Sequence, residues 1–322
     1  MADIEKRITE LFSNKDMATF VISSFATVLA VGAVFYFLYK ATFMSRKCSD
    51  INAEYENKTN TLGVTADVAA HPLNDVYIKT AYNCCSLGGY ANDYVGTCIL
   101  TAILKQGVRC LDFEIFSIDN VPVVATSTST SYHVKETYNS LPFNQVLALI
   151  EDQAMSGDIA PNPRDPLFIH LRIKSNNMVM FKALNKMLSG VSRIYNGQVT
   201  YSSTLQSLMG KIVVIVSNDN RGYLDAGFAH NMISNEPKFK LYKYDHVQSL
   251  SPAEVREMVK PNTLSIITPS AGSNPSNMDI NKIINLKCNM VAMKYQDADP
   301  QLTNYNAMFS DCAFILKDEI SL

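Results

Sequence analysis

The sequence predicts an α/β protein: a (β/α)8 barrel of the TIM type, preceded by a single N-terminal transmembrane helix. Three observations predict it. Residues 17–39, MATFVISSFATVLAVGAVFYFLY, run for 23 positions without a charge. Beyond residue 74, short apolar segments alternate with amphipathic stretches of helical spacing, the pattern of parallel strands buried on both faces and covered by helices. Eight such segments fall within about 250 residues, which is the size of one barrel.

Composition narrows the function classes. The chain has 322 residues, 47% hydrophobic and 18% charged, with a net charge of −2. That balance carries no field that would attract nucleic acid, so no nucleic-acid partner is expected. Seven cysteines include no C-x-x-C pair, and the adjacent Cys84 and Cys85 do not have a zinc spacing. An odd count excludes a fully paired framework but leaves room for one bridge. Cys98 and Cys110 sit in apolar contexts and read as small core residues.

In chain order, residues 1–16 form a short polar head with Ile4, Ile8, Leu11 and Phe12 at helical spacing. The 17–39 segment, from Met17 to Tyr39, follows as the anchor. At about 1.5 Å per residue it spans a hydrocarbon core of about 30 Å. Phe35, Tyr36 and Tyr39 cluster near one end as an aromatic belt does. Lys15 and Asp16 bracket one side, and Lys40, Arg46 and Lys47 the other. A cleaved signal peptide is the alternative, but the run exceeds an h-region of about 7–15 residues and no A-x-A site follows. Orientation stays open: Lys6, Arg7 and Lys15 before the segment balance Lys40, Arg46 and Lys47 after it. Asn57-Lys58-Thr59 is an N-glycosylation triplet, usable only if that side faces a lumen.

Residues 40–73 are polar and read as a stalk. Strands are predicted at 76–81, 108–116, 122–127, 166–173, 211–217, 264–268, 290–296 and 313–317, and helices at 94–106, 141–155, 177–188 and 251–260. The stretch 218–238 has little periodicity and reads as a loop. The barrel thus divides into 74–218, a connecting loop at 219–240, and 241–322.

Several ordered motifs resemble one family. Ala81-Tyr82-Asn83 is followed by Gly107-Val108-Arg109-Cys110-Leu111-Asp112-Phe113-Glu114, then Pro122-Val123-Val124, Pro166-Leu167-Phe168-Ile169-His170-Leu171-Arg172 and Gly210-Lys211-Ile212-Val213-Val214. The order is similar to the X region of eukaryotic-type phosphatidylinositol-specific phospholipase C. Ser249-Leu250-Ser251, the loop PSAGSNPSN at 269–277 and the closing stretch 291–317 resemble its Y region. The resemblance spans about 250 residues with both halves in order.

The family's reaction needs a base for the inositol hydroxyl, an acid for the leaving group and positive charge on the phosphate. The resemblance implies two histidines for the first two and a calcium ion held by asparagine and three carboxylates. Here the first histidine position is Tyr82 and the second is Thr126. Asn83 is kept, and Asp112 and Glu114 supply two carboxylates on one face of a strand. The last ligand glutamate falls on Arg172. The phosphate-binding lysines fall near Ile215 and Ser217, and the Y-region arginine near Ile266; Ser249 remains among the headgroup contacts.

Glu to Arg changes the local charge by two units, and a guanidinium fork suits two carboxylates. Arg172 is therefore expected to tie Asp112 and Glu114 together where a metal would lie, with no calcium and no other cofactor. The alternative for these three is a solvated, unpaired cluster. His133 and His170 are the remaining candidates for a base. The expected function is a membrane-tethered barrel without phosphodiesterase activity, acting as a binding or structural module in a virion or organelle membrane. Its partners would be the bilayer and a lipid headgroup or protein. The alternative is a residual calcium-independent phosphoric diester hydrolase acting on a phosphoinositide-like lipid.

Overall fold

A computed structural model describes residues 15–57, 59–129, 134–251, 253–255, 260 and 262–319. The chain divides into two compact units, residues 1–47 and 48–322. Helix α1 spans Lys15–Glu54. Within its apolar run Phe20, Phe25, Val28, Phe35 and Phe37 are all more than 60% exposed. So large an apolar surface marks a membrane or partner contact, and by length and composition the helix is able to cross a membrane. Of the polar head expected at 1–16, residues 1–14 lie outside the described residues, and Lys15 and Asp16 open helix α1.

The second unit is a nearly closed barrel of eight parallel strands. In chain order they are β1 (Val76–Ala81), β2 (Cys110–Ile118), β5 (Leu167–Ile173), β6 (Ile212–Ser217), β7 (Met232–Ser234), β8 (Phe239–Lys243), β9 (Leu264–Thr268) and β10 (Met290–Met293). Each pairs in parallel with the next except β7 with β8, and β10 closes on β1. The seam lies between β7 and β8, which end the hydrogen-bonded path. Val76, Ile78, Cys110, Phe168, Val213, Ile215, Phe239, Leu264, Ile266 and Met290 fill the lower interior. Upper inward positions are polar, which places the chemistry at the carboxyl ends of the strands.

Two of the expected strands stand outside the barrel. β3 (Val121–Ala125) returns antiparallel on β2 through a two-residue turn, Asp119 and Asn120, both at positive φ. Such a turn matches the twist of a hairpin. The strand β4 (Leu141–Pro142) extends it. β11 (Phe314–Leu316) lies antiparallel against β1. Conversely, the stretch expected as a loop at 219–240 holds a short helix, Arg221–Asp225, all of β7 and the first residues of β8. Three residues of β7 are too few to show a period.

The helices follow their apolar stripes. In the helix Phe143–Ala154, Phe143, Val146, Leu147, Ile150 and Ala154 are buried. In Met178–Ser189 they are Met180, Phe181, Leu184 and Leu188, and the Asn177 side chain caps the start by accepting from the amides of Val179 and Met180. Of the helix expected at 251–260, only 253–255 is described as helical.

The expected stalk at 40–73 is also corrected. Helix α1 continues to Glu54, and a short helix, Ala66–Ala70, follows, capped by Thr65. The Tyr55 hydroxyl donates to the Tyr295 carbonyl at 2.7 Å, and Thr61 packs where a Cβ on Gly107 would stand, 3.0 Å away. Gly107 has φ +73, so both its conformation and its neighbour require glycine. Cys98, expected as a core residue, is instead disulfide-bonded to Cys48 across 50 residues of chain. Nothing in an apolar sequence context distinguishes a thiol from a bridged sulfur. Loop-closure entropy predicts that Cys48→Ser or Cys98→Ser lowers the unfolding free energy by about 2–4 kcal/mol. Denaturant titration under non-reducing conditions checks it.

Candidate functional site

Alternation along β2 turns Cys110, Asp112 and Glu114 inward, and along β5 Phe168, His170 and Arg172. The parallel register pairs Asp112 with His170 and Glu114 with Arg172. Four ionisable or polar side chains thus stack in two layers above an apolar floor. All are buried.

Arg172 joins them. Its Nε donates to Asp112 Oδ2 at 3.0 Å and its Nη2 to Asp112 Oδ1 at 2.7 Å. Nη1 donates to Glu114 Oε1 at 2.6 Å, and Nη2 also to Asn83 Oδ1 at 2.8 Å. The remaining carboxylate capacity is taken from the other side. Asp112 accepts from the Asn83 amide at 3.2 Å and from His170 Nδ1 at 2.8 Å, and Glu114 Oε2 accepts from the Ser127 amide at 2.9 Å. Asn83 occupies the left-handed region, φ 45, which asparagine tolerates. Burial alone would raise the Asp112 carboxyl, but the Arg172 guanidinium and the His170 hydrogen bond outweigh it and hold it well below the usual range. Burial likewise works against the charged guanidinium, and the fields of Asp112 and Glu114 reverse it.

Tyr82 forms the roof. The Arg172 guanidinium carbon lies 4.4 Å from its ring centroid and Lys243 Nζ 5.6 Å from it, while Tyr90 meets it edge-on at 5.4 Å. Burial pushes the Tyr82 phenol far up, so it stays protonated. Above it opens a cavity of about 440 Å³ lined by Tyr82, Tyr90, Arg172, Lys174 and Lys243, with Ser127, Thr128, Ser129, Thr268 and Ser270 among its hydroxyls. Burial, then Arg172, lowers the Lys243 amine to about 8. Another cavity, of about 410 Å³ and lined by His71, Lys260, Lys287 and Lys317, holds none of the residues expected from the sequence.

The remaining candidates scatter. Thr126 is buried, its hydroxyl donating to the Tyr90 carbonyl at 3.0 Å. His170 Nε2 lies 2.7 Å from the Ser234 hydroxyl, so both ring nitrogens are engaged below the cavity. His133 lies outside the described residues. Ser249 is exposed at the end of the helix Tyr244–Gln248, its hydroxyl donating to the His246 carbonyl, and does not line the cavity. Ile215 and Ile266 belong to the apolar floor, and Ser217 is buried beside them. Met17 and Tyr39 lie on α1, both about half exposed. Lys243, Ser234 and Tyr90 were missed by sequence reasoning. The alternation of Phe239, Leu241 and Lys243 was the available signal for the first.

As arranged, these donors do not fit a calcium ion, which needs about six to eight oxygens and net negative charge. The oxygens of Asn83, Asp112 and Glu114 converge on a guanidinium instead. Among the described residues no group of three His, Cys, Asp or Glu side chains is placed to hold a metal.

No family model and no curated protein matches the sequence. Solved structures do match the coordinates. PLC21 of L. pealei superposes with a TM-score of 0.60 at 14% identity, covering 81% of this chain and 38% of that one. PLC21 of S. officinalis gives 0.60 at 13%, with the same coverage. A calcium-dependent phosphoinositol-specific phospholipase C from a Pseudomonas sp gives 0.50 at 12%, covering 79% and 97%. The barrel has the phospholipase C fold. The chain spans 38% of the length of the PLC21 chains.

Two outcomes test the cluster. Arg172→Ala leaves two buried carboxylates unpaired and is expected to destabilise the barrel by about 3–5 kcal/mol, measured by denaturant titration. Asp112 carries a depressed folded pKa, so its stabilisation is complete above the unfolded value of about 3.9 and is lost as pH falls below it. Stability of the parent is therefore expected to decline below about pH 4, and more steeply than that of Asp112→Asn.

Proposed function

We propose that this protein is a membrane-tethered phospholipase-C-like barrel that binds an anionic, hydroxyl-rich lipid headgroup without cleaving it. The observation that carries the reading is the Arg172 guanidinium seated among Asn83, Asp112 and Glu114. It puts one fixed positive charge in place of a divalent ion, and its two carboxylate partners take up that charge, so the attraction for an anion must come from the walls. Lys243 and Lys174 add positive charge at walls that also carry Asp219, and the Ser and Thr hydroxyls offer acceptor oxygens to a polyol. The exposed apolar side chains of α1 support the tether.

Lys243 and Lys174 are the groups that would hold a phosphate, but proton transfer lacks its groups. Tyr82 stays protonated, and Thr126 is a hydroxyl held by a backbone carbonyl. A base and an acid are each worth about 10²–10⁴-fold in rate. His170 is buried beneath Arg172 with both nitrogens engaged, which disfavours the reading as a calcium-independent hydrolase. A structural role in a membrane or particle uses the same surfaces and predicts stoichiometric abundance there.

Assay of the purified full chain on phosphatidylinositol vesicles between pH 5 and 8, with and without calcium, tests the reading. No inositol phosphate is expected, and turnover abolished by His170→Ala or His133→Ala overturns it. Calorimetry is expected to show no saturable calcium binding to the parent and weak binding to Arg172→Glu. Co-sedimentation with phosphatidylinositol vesicles is expected to exceed that with phosphatidylcholine. It is also expected to weaken as pH rises through about 8, where Lys243 loses its charge, and to lose that pH dependence in Lys243→Met.

A further inference from the structure

The sequence leaves the side of the membrane undecided, and the structure supplies two independent observations that bear on it. Cys48, just beyond the apolar run, is disulfide-bonded to Cys98 on the helix Thr97–Lys105. Such bridges form and persist in oxidising compartments and are rare in the cytosol. The other thiols suit the same surroundings. Cys84, Cys85, Cys110 and Cys288 are buried and Cys312 is half-buried, so none is placed to mispair on the surface. Separately, Asn57 of the Asn57-Lys58-Thr59 triplet is exposed. Its backbone carbonyl accepts from Gln106 Nε2 at 3.4 Å, so Asn57 is held against the barrel while it stays exposed to solvent.

We infer that the barrel resides on the lumenal or extracellular side and that Asn57 is an N-glycosylation site. The placement gives the membrane-segment reading above its orientation and also holds if that segment is a cleaved signal, since a cleaved signal delivers the barrel to the lumen. The chemistry of each mark is complete. The Asn57 amide nitrogen bonds to the anomeric carbon of a lipid-diphosphate-linked oligosaccharide, the bond from that carbon to the diphosphate oxygen breaks, and the amide proton is released. The two thiols give up two protons and two electrons to a disulfide-carrying oxidoreductase of that compartment. Asn57 is not among the residues that line the cavity.

The full chain expressed in eukaryotic cells tests the inference through glycosidase digestion, protease protection of intact microsomes and alkylation before and after reduction. The expected result is one glycosidase-sensitive mobility shift that is lost in Asn57→Gln, a protected barrel, and Cys48 and Cys98 alkylated only after reduction. Thr59→Ala is expected to lose the same shift, separating loss of the acceptor from any effect of the asparagine itself. An unglycosylated barrel digested outside the microsomes overturns the inference, even when carbonate washing leaves the chain in the membrane. Release of a glycosylated chain by carbonate supports it while contradicting the tether.

Discussion

The structure turns on one buried charge arrangement: a single guanidinium shared by Asp112, Glu114 and Asn83 at the carboxyl end of the barrel. Two carboxylates on alternate residues of one strand repel each other and resist burial. Something positive must stand between them. A planar fork does so with four hydrogen bonds, and the backbone amides of Asn83 and Ser127 take up part of the remaining acceptor capacity. His170 closes the network from below, against Ser234 on β7. Strands β1, β2, β5 and β7 are thereby tied at their upper ends by polar contacts, while the apolar floor holds them below.

That arrangement sets what the mouth above it offers. Arg172 presents one face to the Tyr82 ring, so its charge reaches the cavity through an aromatic roof flanked by Lys243. A fixed cation answers a phosphate differently from a metal ion. It has no exchangeable ligands and does not lower the pKa of a bound hydroxyl by coordination. Proton transfer at this mouth would have to come from groups other than Tyr82 and Thr126.

Much of the cluster was legible because charged residues inside apolar strands are conspicuous. Asp112, Glu114, His170 and Arg172 interrupt otherwise aliphatic runs, and period-two alternation says that each pair shares a face. The register that sets Glu114 beside Arg172 was not legible, since it depends on the barrel's shear. The strand total was reached with the wrong members. β3 and β11 read as barrel strands because they are apolar on one side, whereas β7 was hidden by its three-residue length and β8 by Lys240 and Lys243. The segment after Lys47 looked like a polar tether because Ile51, Tyr55, Thr61 and Val68, its contacts with the barrel, are widely spaced. Ser249 followed from a motif position, but its hydroxyl turns back on its own helix end. No feature of sequence says which of seven cysteines meet.

A crystal structure of the protein grown in millimolar calcium tests the central claim most directly. The account predicts Arg172 hydrogen-bonded to Asp112, Glu114 and Asn83, with no anomalous density between them. A calcium ion coordinated by Asn83, Asp112 and Glu114, with the Arg172 side chain displaced from the fork, would contradict it.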